Sequence, residues 1–152
     1  DNQQPVIGYA DAADQYWRQG WRGVLPLRRG RKIAPPAGFT GKAGVEPSYP
    51  DVMSWAELYP DGNLCLRMAD GVIGIDVDAY GAKTGAAALT EAQQRWGALP
   101  ETVLTTSRED GVSGIRFYRI PAGVELVESI EFPDLGVGDI EIVQRHHRYA
   151  LA

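Results

Sequence analysis

The chain is poor in cysteine, in long apolar runs and in net positive charge, and each shortage excludes a class of explanation. Its one cysteine, Cys65, rules out an internal disulfide. Set within Leu64-Cys65-Leu66, it reads as an inert core thiol in a reducing, cytoplasmic setting. No apolar stretch approaches the length of a membrane span, and no signal peptide is visible. A formal net charge of −5 argues against wholesale electrostatic wrapping of nucleic acid, though not against a local basic groove. Internal repeats and low-complexity segments are also missing.

What is present is ordinary for a globular protein: 152 residues, 44% hydrophobic and 23% charged. That length predicts one domain over residues 1–152 with a real core. The chain begins at Asp1 without a methionine and is expected to be an excised or C-terminally truncated piece of a longer protein. Its 18 Gly and 10 Pro suit short strands joined by working loops.

Periodicity predicts a helix over 10–19, with Ala13, Tyr16 and Trp17 on one side and Gly20 as its stop, then a strand over 21–27. An irregular stretch follows over 28–50. Asp51 is placed as the N-cap of a short helix over 52–59, closed by Pro60. A strand over 64–68 leads through Asp70-Gly71, read as a hairpin turn, into the strand 72–77. An Ala-rich helix over 85–96 ends at Gly97, and further strands are predicted over 102–106, 115–120, 140–143 and from Tyr149. Helices interspersed with hairpins give an α+β fold with a largely antiparallel sheet flanked by helices.

Four segments carry polar groups where a purely structural role would not need them. In Val72-Ile73-Gly74-Ile75-Asp76-Val77-Asp78, residues two apart on a strand share a face, so Asp76 and Asp78 project side by side, roughly 7 Å apart. Like charges so placed repel, and a hard divalent cation such as Mg²⁺ or Mn²⁺ relieves the repulsion while substrate phosphates complete its shell. A strand end with solvated or Arg-paired acids is the alternative. The second segment is the loop from Ser107-Arg108 to Ser113-Gly114-Ile115-Arg116. It is either a phosphate cradle of backbone N–H groups and guanidinium forks or an exposed hairpin loop. The third is Gly138-Asp139-Ile140-Glu141-Ile142-Val143, with Asp139 and Glu141 expected on one face. The strand is either the source of a third acid, Glu141 between two isoleucines being the better candidate and Asp139 the more solvated, or an amphipathic edge strand with its acids in water. The fourth is Arg145-His146-His147-Arg148-Tyr149, where adjacent histidines on an extended segment face opposite ways and one of them suits a phosphate or ribose. Arg28, Arg29, Arg31 and Lys32 form a basic loop that either tracks a nucleic-acid backbone or is simply solvated.

In their order these segments resemble the N-terminal primase–polymerase domain of the archaeo-eukaryotic primase superfamily, in the branch found on phage and plasmid replication proteins. "YWRQGWRGVLPL" from Tyr16 resembles that branch's helix followed by G-W-x-V-x-P-L. "GRKIAPPAGFTG" resembles its Lys-Pro-rich segment, and Trp55 to Asn63 its W-x(n)-P-x-x-N stretch. "GVIGIDVD" is similar to the first motif, the metal-binding D-x-D. Pro100 to Tyr118 resembles the stretch holding the second motif, and Ile140-Glu141-Ile142 with "HHRYALA" the third motif and the approach to P-P-S. Two positions depart from the pattern: Arg116 stands where the second motif commonly has His, and Glu141 where the third commonly has Asp. The chain stops at Ala152, just before P-P-S is expected.

The resemblance implies an RRM-like catalytic core and a nucleotidyltransferase, a DNA primase and DNA polymerase. It would make and extend primers on a single-stranded DNA template from nucleoside triphosphates, by two-metal phosphoryl transfer with Mg²⁺ or Mn²⁺. It assigns Asp76, Asp78 and Glu141 to catalysis and metal, and Ser107, Arg108, Ser113, Arg116 and His147 to the nucleotide. Arg28, Arg29, Arg31 and Lys32 go to DNA. A C-terminal helicase/ATPase domain and a cytoplasmic location in a bacterial host are also implied, with no membrane. A metal-dependent nuclease and a non-catalytic single-strand-binding module are the rival readings.

Overall fold

A computed structural model describes residues 7–29 and 34–151, which fall into two compact units. The first lies within Asp1–Ala69 and Arg148–Ala152, the second within Asp70–His147.

In the first unit, helix α1 (Tyr9–Arg18) buries Tyr9 and Ala13, spaced four apart on one helical face. The Tyr9 hydroxyl donates to the Val24 carbonyl at 3.0 Å, and burial drives its pKa upward. Gly20, at φ +95°, takes the chain out of the helix where a Cβ would be strained. Strand β1 (Val24–Leu27) is buried at every position. Helix α2 (Tyr49–Leu58) starts earlier than its hydrophobic pattern suggests. Ser48, not Asp51, is its N-cap: the Ser48 hydroxyl accepts from the Asp51 N–H at 3.2 Å, and the Asp51 carboxylate accepts from the Ser48 N–H at 2.8 Å. That reciprocal capping box, with Pro50 in the first turn, moves the start three residues upstream of the expected one. Strand β2 (Asn63–Leu66) pairs antiparallel with β1 on one side and with the last strand of the chain, Ala150–Leu151, on the other. Leu25, Leu27 and Cys65 form the core with Phe39, Trp55 and Tyr149, and burial raises the Cys65 thiol to about 12, as expected of an inert thiol.

In the second unit, β3 (Val72–Val77) is the middle strand of an antiparallel sheet. It is followed by helix α3 (Gly85–Trp96), β4 (Leu104–Thr105), β5 (Gly114–Arg119), β6 (Ser129–Phe132), a 3-10 turn at Pro133–Leu135 and β7 (Val137–Val143); the two-residue strand Ala150–Leu151 of the first unit is β8. The sheet order is β4-β5-β3-β7-β6. One expectation fails here. Asp70-Gly71 does not join a hairpin, because β2 pairs with β1 and β8 while β3 pairs with β5 and β7. Strand β6 carries no sequence signal, since its four residues stop just before Pro133 and follow an acidic, exposed run.

Helix α3 covers one face of this sheet, with Ala88 and Ala92 against Ile73, Val77, Ile140 and Ile142. Its entry is tight: the Gly85 N–H donates to the Asp78 carbonyl at 2.9 Å, and a Cβ on Gly85 would lie 2.3 Å from that oxygen. The sheet is therefore lined on the helix side by the odd positions of β3, which leaves the even positions, Gly74 and Asp76, for the other face.

Candidate active site

On the face away from α3 the strand register lines up one transverse row. Asp76 of β3 stands directly opposite Glu141 of β7 and, on its other side, Ile115 of β5; Thr105 of β4 extends the row beyond Ile115 and Ser129 of β6 beyond Glu141. Directly opposed residues of an antiparallel pair have Cβ atoms about 5 Å apart on a common face, so two carboxylates meet at the centre of the sheet. Beside them the row above is small. A Cβ on Gly74 would lie 2.7 Å from Ile115 Cγ2 and 3.4 Å from Val143 Cβ.

Asp78 lies one residue past β3, and its backbone is fixed on both sides. Its N–H donates to the Asp139 carbonyl at 3.0 Å, and its own carbonyl accepts from Gly85. Asp139 itself departs from the alternation. It adopts φ +64°, at a point where β7 carries one more residue than β6 between paired positions. Its carboxylate turns to the start of α3, accepting from the Thr84 N–H at 2.9 Å and the Thr84 hydroxyl at 3.2 Å, with Lys83 Nζ at 3.4 Å. The Thr84 backbone hydrogen bond, above all, holds its carboxyl below the usual range. The expectation that Asp139 shares a face with Glu141 and is the more solvated of the two is thus corrected: the bulge turns it toward the start of α3, and it is no more exposed than Glu141.

The loop between β4 and β5 is tied from within. Asp110 accepts from the Val112 N–H at 2.8 Å and from the N–H and hydroxyl of Ser113. These bonds, the Ser113 hydroxyl first, lower its pKa. Ser113, buried, passes the connection on by accepting from the Ala79 N–H at 2.9 Å, just after Asp78. The Arg108 guanidinium lies 3.8 Å over the Tyr80 ring, and Ser107 is exposed. Arg116 is placed differently. It stands directly opposite Ile75, on the helix-covered face, and its Nη1 donates to the Val112 carbonyl at 2.9 Å. The period of two that puts Ile115 beside Asp76 necessarily sends Arg116 the other way.

His147 closes a tight turn with Gln144, each residue's N–H reaching the other's carbonyl at 3.1 and 2.9 Å. Its Nε2 is 3.0 Å from Glu141 Oε2 and its Nδ1 3.7 Å from Glu128 Oε2, so it faces carboxylates rather than the neighbouring arginines. His146 lies 3.9 Å from Glu125. The structure therefore sets Glu141 opposite Asp76 and in contact with His147, with Asp78 and the Ser113 loop joined through backbone. Arg28 and Arg29 are exposed after β1 in the first unit, and Arg31 and Lys32 lie outside the described residues. Glu128 and Gln144 escaped the sequence reading because neither belongs to a recognisable spacing; Glu128 sits in an exposed run with no periodic signal.

The profile of the Prim-Pol family, described as bifunctional DNA primase/polymerase, N-terminal, matches residues 13–152. The chain belongs to this family. No curated protein and no solved structure matches it. Prim-Pol membership brings DNA primase and DNA polymerase activity, DNA replication, and DNA and nucleotides as substrates at the level of the family, with general dependence on a metal. Asp76 and Glu141 suit that dependence by chemistry: both offer hard oxygen donors, in register on one face. Among the described residues no three His, Cys, Asp or Glu side chains converge enough to hold an ion by themselves. A Mg²⁺-type site does not require that, since one or two carboxylates with substrate phosphates suffice. No helix of the described residues is long and apolar enough to cross a membrane.

Proposed function

We propose that this chain is the catalytic domain of a replication protein and performs template-directed nucleotidyl transfer, making and extending primers on single-stranded DNA from nucleoside triphosphates. The observation that carries this reading is the Asp76–Glu141 pair opposed across β3 and β7 in a Prim-Pol chain. Asp76, Asp78 and Glu141 are the catalytic and metal-holding carboxylates. Bound Mg²⁺ or Mn²⁺ supplies charge neutralisation at the triphosphate and a lowered pKa for the attacking 3′-hydroxyl. Ser107 and Arg108 contact the triphosphate from the β4–β5 loop. Ser113 and Arg116, each bonded to a neighbouring segment of protein, hold that loop in shape for them. Arg28 and Arg29, with Arg31 and Lys32, follow the template phosphates and give binding its salt dependence. A following helicase/ATPase domain, a phage or plasmid origin and a cytoplasmic site of action belong to the same reading.

The deciding experiment incubates the protein with single-stranded DNA and labelled nucleotides, once with Mg²⁺ and once with Mn²⁺. Oligonucleotide products complementary to the template are expected, and template without nucleotides should stay intact. Degradation of template in the absence of nucleotides would mark a nuclease instead. Template binding with no product under either ion would mark a non-catalytic binding module.

A further inference from the structure

Glu141 is a long carboxylate opposite another carboxylate, and nothing in its own strand fixes which way its oxygens point. Among the described residues, the hydrogen bond that orients it comes from outside the strand, from His147 Nε2 at 3.0 Å. A carboxylate only accepts, so that contact requires the proton on Nε2. With Oε2 occupied by the imidazole, Oε1 is the oxygen that remains to take a cation.

The imidazole is itself built into place. Its backbone is locked to Gln144 in the tight turn, and Gln144 is buried, 4% exposed. The Gln144 amide accepts from the Leu126 N–H at 2.9 Å and donates to the Leu126 and Val127 carbonyls, each at 3.1 Å. One buried residue thus fixes, through its backbone, the turn bearing His147 and, through its side chain, the segment leading into Glu128, whose carboxylate flanks the opposite ring nitrogen. The imidazole is held between Glu141 and Glu128 as a ligand-orienting group is held in a metal site's outer layer.

We infer that His147 is a positioning residue that aims Glu141 at a divalent cation, with Glu128 and Gln144 setting the ring, and that it acts on the nucleotide only through Glu141. The inference rests on the reading of Glu141 as a metal-holding carboxylate. It is tested by titrating the protein with Mn²⁺ alone, followed by electron paramagnetic resonance, with Tm measured for each variant. The Gln amide nitrogen reaches about as far as Nε2, and that of Asn about as far as Nδ1, so the two substitutions separate the ring's two contacts. His147→Ala and His147→Asn are expected to weaken Mn²⁺ binding about 10-fold, while His147→Gln stays within about 3-fold of wild type by restoring the donor to Glu141. Wild-type affinity in His147→Ala, or equal rescue by Asn and Gln, overturns the inference. If Glu141→Gln binds Mn²⁺ as the unaltered protein does, or the unaltered protein binds none even with inorganic triphosphate added to complete the ion's shell, the metal reading itself fails. If Glu141→Gln weakens binding and His147→Ala does not, only the inference about His147 falls.

Discussion

The two units use their strands in opposite ways. In the first, β1 is buried at all four positions, and polar side chains are spent on backbone groups. Tyr9 donates to Val24, and the buried Arg67 gives Nη1 to Gly44 and Nη2 to Gly41, at 2.9 and 2.7 Å. In the second, β3 and β7 commit one face to α3 and place carboxylates on the other. The contrast teaches where burial is kept for stability and where it is given up: like charges directly opposed on a sheet are destabilising, so Asp76 and Glu141 stand where packing alone would put apolar side chains.

The largest effect expected from this contrast is in activity. Asp76→Asn should lower nucleotide incorporation about 10³-fold, as loss of one electrostatic stabiliser of the transition state does, while the protein stays folded. Primer extension and thermal melting on the same preparation check it; a lowered Tm with activity retained would reverse the contrast. Next is the first unit, where Leu25→Ala should cost about 3 kcal/mol by leaving a cavity around a fully buried side chain. Chemical denaturation measures the loss, and nucleotide incorporation well below the transition should stay near that of the unaltered protein. The smallest effect separates the two acids of β7. The Asp139 carboxyl is held below its usual value by Thr84, so the stability it contributes is present above the ordinary carboxylate range, near pH 3.9, and is lost as pH falls through the lowered value. Asp139→Asn should therefore lower Tm most at neutral pH, and the difference from the unaltered protein should vanish in acid, with Mn²⁺ affinity unchanged. Thermal melts across pH check the first part and a Mn²⁺ titration the second.

The α+β class, the helix Gly85–Trp96 and the central acidic strand were legible because each is a strong local pattern: an Ala-rich run closed by Gly97, and an apolar run ending in acids. That Asp76 ends an apolar strand could be read from residue type and neighbours alone. Pairing between strands far apart in the chain could not. The Asp70-Gly71 dipeptide has hairpin chemistry, yet tertiary pairing sends its two flanking strands to different sheets. The face on which Arg116 stands could not be read from its motif, since it follows from the register opposite Ile75. Asp139 was misjudged because a bulge shifts the period of two by one, and nothing in Gly138-Asp139-Ile140 marks a bulge except tolerance of Asp for positive φ.

The pinning of Asp78 has a consequence in entropy. Its amide is held by β7 and its carbonyl by α3, so the backbone freedom of this residue, about 1–2 kcal/mol at room temperature, is surrendered when the second unit folds. On the proposed reading of Asp78 as a metal-holding carboxylate, it is not surrendered again when a ligand arrives. A carboxylate at the ragged end of a strand would ordinarily lose that freedom on binding; here only side-chain rotation is left to be settled, and the ordering cost has been moved from recognition to folding.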